Sequence, residues 1–219
     1  MPIFHSSTTS AIVLAAGEGR RLGGVSKALL RLDGTPLIVR LIKAMHELQI
    51  TDICVVTGAH HDRICAVIEP LGARAVFNPA FASGQSSSVR LGLEATDAAS
   101  EAIMVLLCDQ PLLGSADLTE LLQAFRSRSY GEFCVPQVNG QRGNPVVLSQ
   151  DARLAILQMP APTACREYMD RHPASISWHE SANDHYVFDI DTPDDVKAAE
   201  ARTKQSVEIG ILDAREPDC

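Results

Sequence analysis

AIVLAAGEGRRLGGVSK, residues 11 to 27, decides how the rest of this chain is read. It opens with a short apolar run, Ala11 to Ala16, too short for an independent helix and suited to a buried strand. Gly17, Gly19, Gly23 and Gly24 follow, mixed with Glu18, Arg20, Arg21 and Lys27. A buried strand opening into a glycine-rich basic loop is a common way to hold phosphates. Glycine lets backbone N–H groups approach the anion, and Arg and Lys neutralise it. Two familiar loops fail on spacing. The dinucleotide pattern G-x-G-x-x-G has one residue too many between Gly19 and Gly23, and the Walker pattern is missing because Lys27 lies between Ser26 and Ala28. The plainer alternative is an ordinary strand-to-helix turn with solvated arginines. Four glycines and three cations within eleven residues exceed what such a turn needs.

Composition narrows the class. The 219 residues fit one large domain or two small ones, and 46% hydrophobic content is ample for a core. A single Trp argues against an aromatic platform for nucleic acid, and a net charge of −8 argues against nucleic acid or an anionic membrane as partner. An acidic protein that binds a polyanion must gather its cations locally or use a metal. Six scattered cysteines include no C-x-x-C pair, and Cys54 and Cys134 read as small core residues. No stretch reaches ~18 apolar residues, so no membrane span is expected. MPIFHSSTTS at the start lacks a basic and an apolar region of a secretory signal, so the expectation is a reduced cytoplasmic enzyme.

Outward from the opening stretch, strands and helices alternate. Residues 1–10 are expected to form a flexible arm, 11–203 the domain and 204–219 a tail. After Ala28 to Leu32 and the Asp33-Gly34 turn, a helix is expected over Leu37 to Leu48. A strand follows over Ile53 to Thr57, a helix over His61 to Ile68 and a strand over Ala73 to Phe77. Gly84 and the serines Ser86, Ser87 and Ser88 lead into another helix, as helix-start residues or as ligand contacts. Ala102 to Leu107 is a fully apolar strand, broken by Cys108-Asp109-Gln110-Pro111. A carboxylate just past a central strand sits where open α/β sheets bind ligands, and Asp117 or Ser115 serves better than Asp109 as a helix cap. Asp109 is therefore read as a metal ligand. Phe133 to Val138, the Asn139-Gly140 turn and Val146 to Leu148 read as a hairpin, with Arg142 and Asn144 presented on a rigid turn. Helical stretches over Asp151 to Leu157 and Thr163 to Asp170 precede a weak strand, Ile176 to Trp178. Tyr186 to Ile190 is expected as a last strand. Alternation puts Asp189 and Asp191 on one face, and Thr192 with Pro193 starts a final helix. The pattern specifies one α/β domain with a largely parallel sheet.

If the sheet is doubly wound, the glycine loop, Asp109 and Asp191 converge on one crevice. Two carboxylates around a hard cation plus a phosphate cradle suggest Mg²⁺-assisted chemistry on a nucleoside triphosphate.

LAAGEGRRLGGVSK resembles the signature of the MobA-like NTP transferase family, L-A-[AG]-G-x-x-x-R-x-G followed by Lys. Leu14, Ala15, Ala16, Gly17, Arg21, Gly23 and Lys27 match it. The likeness continues through CDQP at 108 to 111, RGNP at 142 to 145 and DIDTPDD at 189 to 195, and is greatest to the molybdenum cofactor cytidylyltransferases. It implies a single-domain, Rossmann-like three-layer sandwich of the nucleotide-diphospho-sugar transferase type. It also implies transfer of CMP from CTP to the terminal phosphate of molybdopterin, with release of pyrophosphate. By resemblance, the Gly17–Gly24 backbone, with Glu18 and Gly19, and Arg21 hold the β- and γ-phosphates. Lys27 balances charge at the α-phosphate, and Asp109 and Asp191 hold Mg²⁺. Gly84, Ser87 and Ser88 fall where relatives contact the nucleoside, and Arg142 and Asn144 fall on the acceptor side. Guanylyl-transferring members tend to carry Gly at the position of Ala16, so the methyl favours the smaller pyrimidine. A client molybdoenzyme or its chaperone is a further implied partner. Two residues depart from the family pattern: Cys108 replaces a frequent Gly and Asn144 a frequent His. The competing readings are a guanylyl- or isoprenoid/sugar cytidylyl-transferring enzyme of the same fold, and a non-catalytic carrier of the molybdenum cofactor.

Overall fold

The computed structural model describes residues 9–208. The chain starts with strand β1, Thr9–Ala15, buried along its whole length. Two short strands, β2 (Arg31–Leu32) and β3 (Thr35–Pro36), precede helix α1 (Leu37–Glu47). Then come β4 (Asp52–Thr57), α2 (His61–Ile68), β5 (Arg74–Phe77), α3 (Gln85–Ala95), β6 (Ala102–Leu107) and α4 (Ser115–Ser127). The second half holds β7 (Phe133–Val138), β8 (Gln141–Arg142), β9 (Val146–Ser149), α5 (Gln150–Gln158), α6 (Cys165–Arg171), β10 (Ile176–Glu180), α7 (Pro193–Thr203) and β11 (Val207–Glu208).

The main sheet runs β10-β7-β9-β6-β1-β4-β5, with β8 attached to β7. β1 pairs in parallel with β4 and β6, β4 with β5, and β7 with β10. β9 is reversed, antiparallel to both β6 and β7, and so is β8 against β7. The sheet is mixed but mostly parallel, and helices cover both faces. Period-two alternation along β1 shows why: Ala11, Val13 and Ala15 face one core with Ile38, Ile64 and Leu118, while Ile12 and Leu14 face another with Leu93, Ile156 and Met169. α1, α2 and α4 thus form one layer, and α3, α5 and α6 the other. Each fully buried Ile or Leu contributes roughly 1.5–3 kcal/mol relative to exposure.

A third, smaller core lies at the cleft edge. Leu22, Leu30, Leu32, Ile190, Val196 and Val207 pack there between α7 and the ribbon β11-β2-β3. This core anchors the glycine loop from one side and the segment carrying Asp189 and Asp191 from the other. A buried cation fixes α3: Arg153 donates through Nε to Leu93 O at 2.7 Å and through Nη2 to Thr96 O at 3.1 Å, satisfying carbonyls at the helix end.

Several expectations are corrected. Thr9 and Ser10 stand in β1, with Ser10 bonded to Asp52 and Ser100, so the expected arm overlaps the strand; residues 1–8 lie outside the described residues. No strand forms over Tyr186 to Ile190. A 3-10 turn, Asp184–Val187, replaces it, because the Tyr186 carbonyl accepts from Asn144 N at 2.8 Å and Gln110 Nε2 at 3.1 Å instead of a ladder partner. The serines do not cap α3; Gly84 holds that position and Ser86 to Ser88 lie in the first turn. In the expected tail, Val207 pairs with Leu32, and residues 209–219 lie outside the described residues.

Candidate active site

A cleft of about 570 Å³ opens at the carboxyl ends of β1 and β6. Its first wall is the loop after β1. Gly19 and Gly23 flank a tight 3-10 turn, Arg20–Leu22, with φ of 66° and 70°. Gly24 N donates back to Gly19 O at 3.0 Å, closing the loop on itself. Leu22 is buried, so Arg20 and Arg21 are left exposed beside the cleft. Ser26 is buried and begins a second short turn, Lys27–Leu29, whose Ala28 also faces the core. Lys27 is thereby aimed into the cleft.

The floor is carboxylate. Asp109 follows β6 directly, and its carbonyl accepts from Ile190 N at 2.9 Å. Ile190 is fully buried, so Asp189 and Asp191 on either side of it turn toward the cleft. The expected alternation therefore operates without a strand. Asp191 is held further: its N–H donates to Asp195 Oδ2 at 3.0 Å, and Asp195 forms a capping box with Thr192 at the start of α7. Lys27 Nζ donates to Asp109 Oδ2 at 2.8 Å and also to Asp191. Arg21 Nη1 reaches Asp191 Oδ2 at 3.0 Å.

Charge at this floor is tightly coupled. Burial alone would lower the Lys27 pKa, but Asp109 and then Asp191 outweigh it and push it up, so Lys27 is an ammonium ion at neutral pH. Burial raises the carboxyl of Asp189, and the charges of Asp109 and Asp191 add to that. Burial, with the Asp109 charge, also pushes the Cys108 thiol up, so it stays protonated and is not a nucleophile.

The donors suit a hard divalent cation. One oxygen each from Asp109, Asp189 and Asp191 lies within 4.8 Å of the others. Asp109 Oδ1 is buried and lacks a hydrogen-bond partner, as a metal-binding oxygen would. Three carboxylates against Lys27 and Arg21 leave the floor net negative. A polyanionic substrate would need further positive charge there, and a divalent ion supplies it.

The sequence matches the family described as MobA-like NTP transferase domain over residues 11–176. The chain belongs to the MobA-like NTP transferase family. That membership makes it an enzyme of the nucleotidyltransferase class. Among relatives, it is 29% identical to nicotine blue oxidoreductase of Paenarthrobacter nicotinovorans, covering 84% of this chain and 92% of the relative. It is 32% identical to molybdenum cofactor guanylyltransferase of Burkholderia lata, over 57% of this chain and 59% of the relative. A solved nucleotidyl transferase from Methanothermobacter shares its fold with a TM-score of 0.72 at 21% identity, covering 90% of this chain and 98% of that one.

The MobA-like fold brings most of the sequence-selected residues together. Leu14, Ala15, Ala16, Gly17, Glu18 and Gly19 border the cleft, as do Arg21, Lys27, Gly84, Ser88, Asp109 and Asp191. Gly23 is not among its lining residues and instead terminates the 3-10 turn. Ser87 is not among them either; its hydroxyl lies 2.8 Å from Gly84 O and accepts from Asn78 Nδ2 at 3.0 Å. Arg142 and Asn144 stand apart from this cleft. Arg142 Nη1 bonds Asp170 Oδ1 at 3.2 Å, and Asn144 N bonds Tyr186 O. Residues that the sequence did not single out include Phe81 and Gln85. Asp189 had a signal, the shared face with Asp191; Phe81, after the Asn78-Pro79 turn, had none.

Gly19 sets a sharp test of the loop. A Cβ there would fall 1.7 Å from the Val25 carbonyl oxygen, at a φ that L side chains rarely adopt. Gly19→Ala is expected to cost about 1–3 kcal/mol of loop strain and to weaken nucleoside triphosphate binding at least about tenfold. Calorimetric titration, with circular dichroism to check the fold, measures both parts.

Proposed function

We propose that this enzyme transfers CMP from CTP to the terminal phosphate of molybdopterin, giving molybdopterin cytosine dinucleotide and pyrophosphate. The observation that carries the reading is the Lys27 ammonium, bonded to Asp109 and Asp191 at the foot of the glycine loop. A terminal phosphate oxygen of the acceptor attacks the α-phosphorus, the new P–O bond forms, and the bond to the β-phosphate breaks. No covalent enzyme intermediate is needed, so catalysis is positioning and charge neutralisation. The backbone between Gly17 and Gly24, with Arg21, holds the departing β- and γ-phosphates. Lys27 donates to the α-phosphate as negative charge builds there. Asp109 and Asp191, with Asp189 beside them, would hold Mg²⁺, which would supply charge neutralisation at the substrate phosphates.

The Ala16 methyl borders the cleft and supports a pyrimidine over a purine. Arg142 and Asn144 are assigned to the acceptor side, beyond the cleft. Among the described residues five cysteines are free, which supports a reducing, cytoplasmic setting, and a client molybdoenzyme or its chaperone is the receiver we assign to the product. Among the described residues no helix is long and apolar enough to cross a membrane.

Pyrophosphate release with molybdopterin, Mg²⁺ and each of CTP, GTP, ATP and UTP tests the reading. CTP is expected to exceed GTP by about 10-fold or more in kcat/KM, the order of discrimination a methyl-sized difference provides. A preference for GTP would overturn the base assignment and leave the guanylyl reading. Reaction only with a sugar or isoprenoid phosphate would replace the acceptor. Tight molybdopterin binding without any turnover would favour the carrier reading.

A further inference from the structure

Phe81 borders two cavities. One is the cleft above; the other, about 590 Å³, opens beside it and is bounded by Gly58, His60, His61, Arg63 and Phe77. Phe81 lines both, and its seat is built. A Cβ on Gly58 would fall 2.8 Å from both Cβ and Cγ of Phe81, and 2.5 Å from the Ala16 carbonyl oxygen. Only glycine lets the ring and the glycine-loop strand close together over the end of β4. Buried Asn78 fixes the backbone beneath: its side chain accepts from Ala80 N at 2.9 Å and donates to the hydroxyls of Ser87 and Ser88.

Charge tells the two ends of the cleft apart. The sheet order there is β6-β1-β4-β5. Asp109 follows β6 and the glycine loop follows β1, whereas Phe81 follows β5. Strands lie roughly 4.8 Å apart, so the end of β5 is about 14 Å across the sheet from the end of β6. A triphosphate belongs at the end carrying Lys27, Arg21 and the carboxylates. The base then lies toward Gly84, Gln85, Ser88 and Phe81, uncharged lining residues of the cleft.

We infer that Phe81, seated on Gly58, is the wall that ends the nucleobase pocket, and that it excludes purines by withholding the cavity behind it. This inference rests on the reading of the cleft as a pyrimidine nucleotide site. It adds to Ala16 a second determinant of base size, seated beside it over the end of β4. Phe81→Ala joins the two cavities and gives the larger ring system room.

The test is the dissociation constants of CTP and GTP, with Mg²⁺ and without acceptor, for the wild type, Phe81→Ala and Phe81→Leu. The wild type is expected to bind CTP more tightly. Phe81→Ala is expected to shift the GTP-to-CTP affinity ratio toward GTP by at least about tenfold, and Phe81→Leu by less. If Phe81→Ala fails to fold by circular dichroism, Phe81→Leu carries the test with a shift of about threefold or more. An unchanged ratio in a folded variant overturns the inference, as does a wild type that prefers GTP. A shifted ratio in an enzyme that does not modify molybdopterin leaves the wall standing and removes the acceptor assignment instead.

Discussion

Lys27→Ala is expected to lower turnover by about 10³-fold, close to 4 kcal/mol of barrier, while the chain keeps its fold. Lys27 is the cation bonded to two of the three clustered carboxylates. On the proposed reading its removal deletes a donor to the α-phosphate, and it leaves Asp109 and Asp191 without the lysine that bridges them. The same change removes a competitor for those oxygens. The variant is therefore expected to bind a divalent cation at least as tightly as the wild type and to gain more thermal stability from it. Single-turnover pyrophosphate release measures the first effect, and unfolding temperatures with and without Mg²⁺ measure the second. A rate within about threefold of wild type would reduce Lys27 to a structural bridge.

Asp109→Ala is expected to abolish turnover to a similar extent by a different route. The side chain is only 14% exposed, and one oxygen holds Lys27 while the other has no partner. On the proposed reading its loss takes away a cation ligand, so divalent-cation affinity is expected to fall at least about tenfold. Raising Mg²⁺ should not restore the rate. Mn²⁺ binding followed by electron paramagnetic resonance separates the two variants: weaker in Asp109→Ala, undiminished in Lys27→Ala. Equal Mn²⁺ binding in Asp109→Ala and wild type would remove Asp109 from the cation site.

What the sequence conveyed, and what it did not, follows from the range of the forces involved. His61–Ile68, Ala102–Leu107 and the start of Pro193–Thr203 are readable because local signals define them: Pro70 and Gly72 stop the first, an unbroken apolar run makes the second, and the Thr192 cap with Pro193 begins the third. Ser10 belongs to a strand because its hydroxyl meets Asp52 and Ser100, which are far away in the sequence. Tyr186 shows the reverse. Its alternating neighbours read as a strand, but its carbonyl is taken by Gln110 and Asn144, and its hydroxyl donates to Asp117 O at 2.8 Å. At the cleft, Lys27, Asp109 and Asp191 were legible because charged residues at strand ends are unusual. Gly58 and Phe81 were not, since their meaning arises only when the ends of β4 and β5 are side by side.

The bond from Ile190 N–H to the Asp109 carbonyl also concerns timing. The glycine loop and Asp109 come from the first half of the chain, whereas Asp189 and Asp191 lie beyond the 11–176 stretch that carries the family match. The β11 pairing with β2 comes later still. Synthesis runs from the amino end, so a nascent chain that has emerged only as far as β10 has a phosphate loop but lacks the carboxylates that flank Ile190. The candidate cation site therefore needs the segment beyond β10, which α7 and the β11–β2 pairing hold in place.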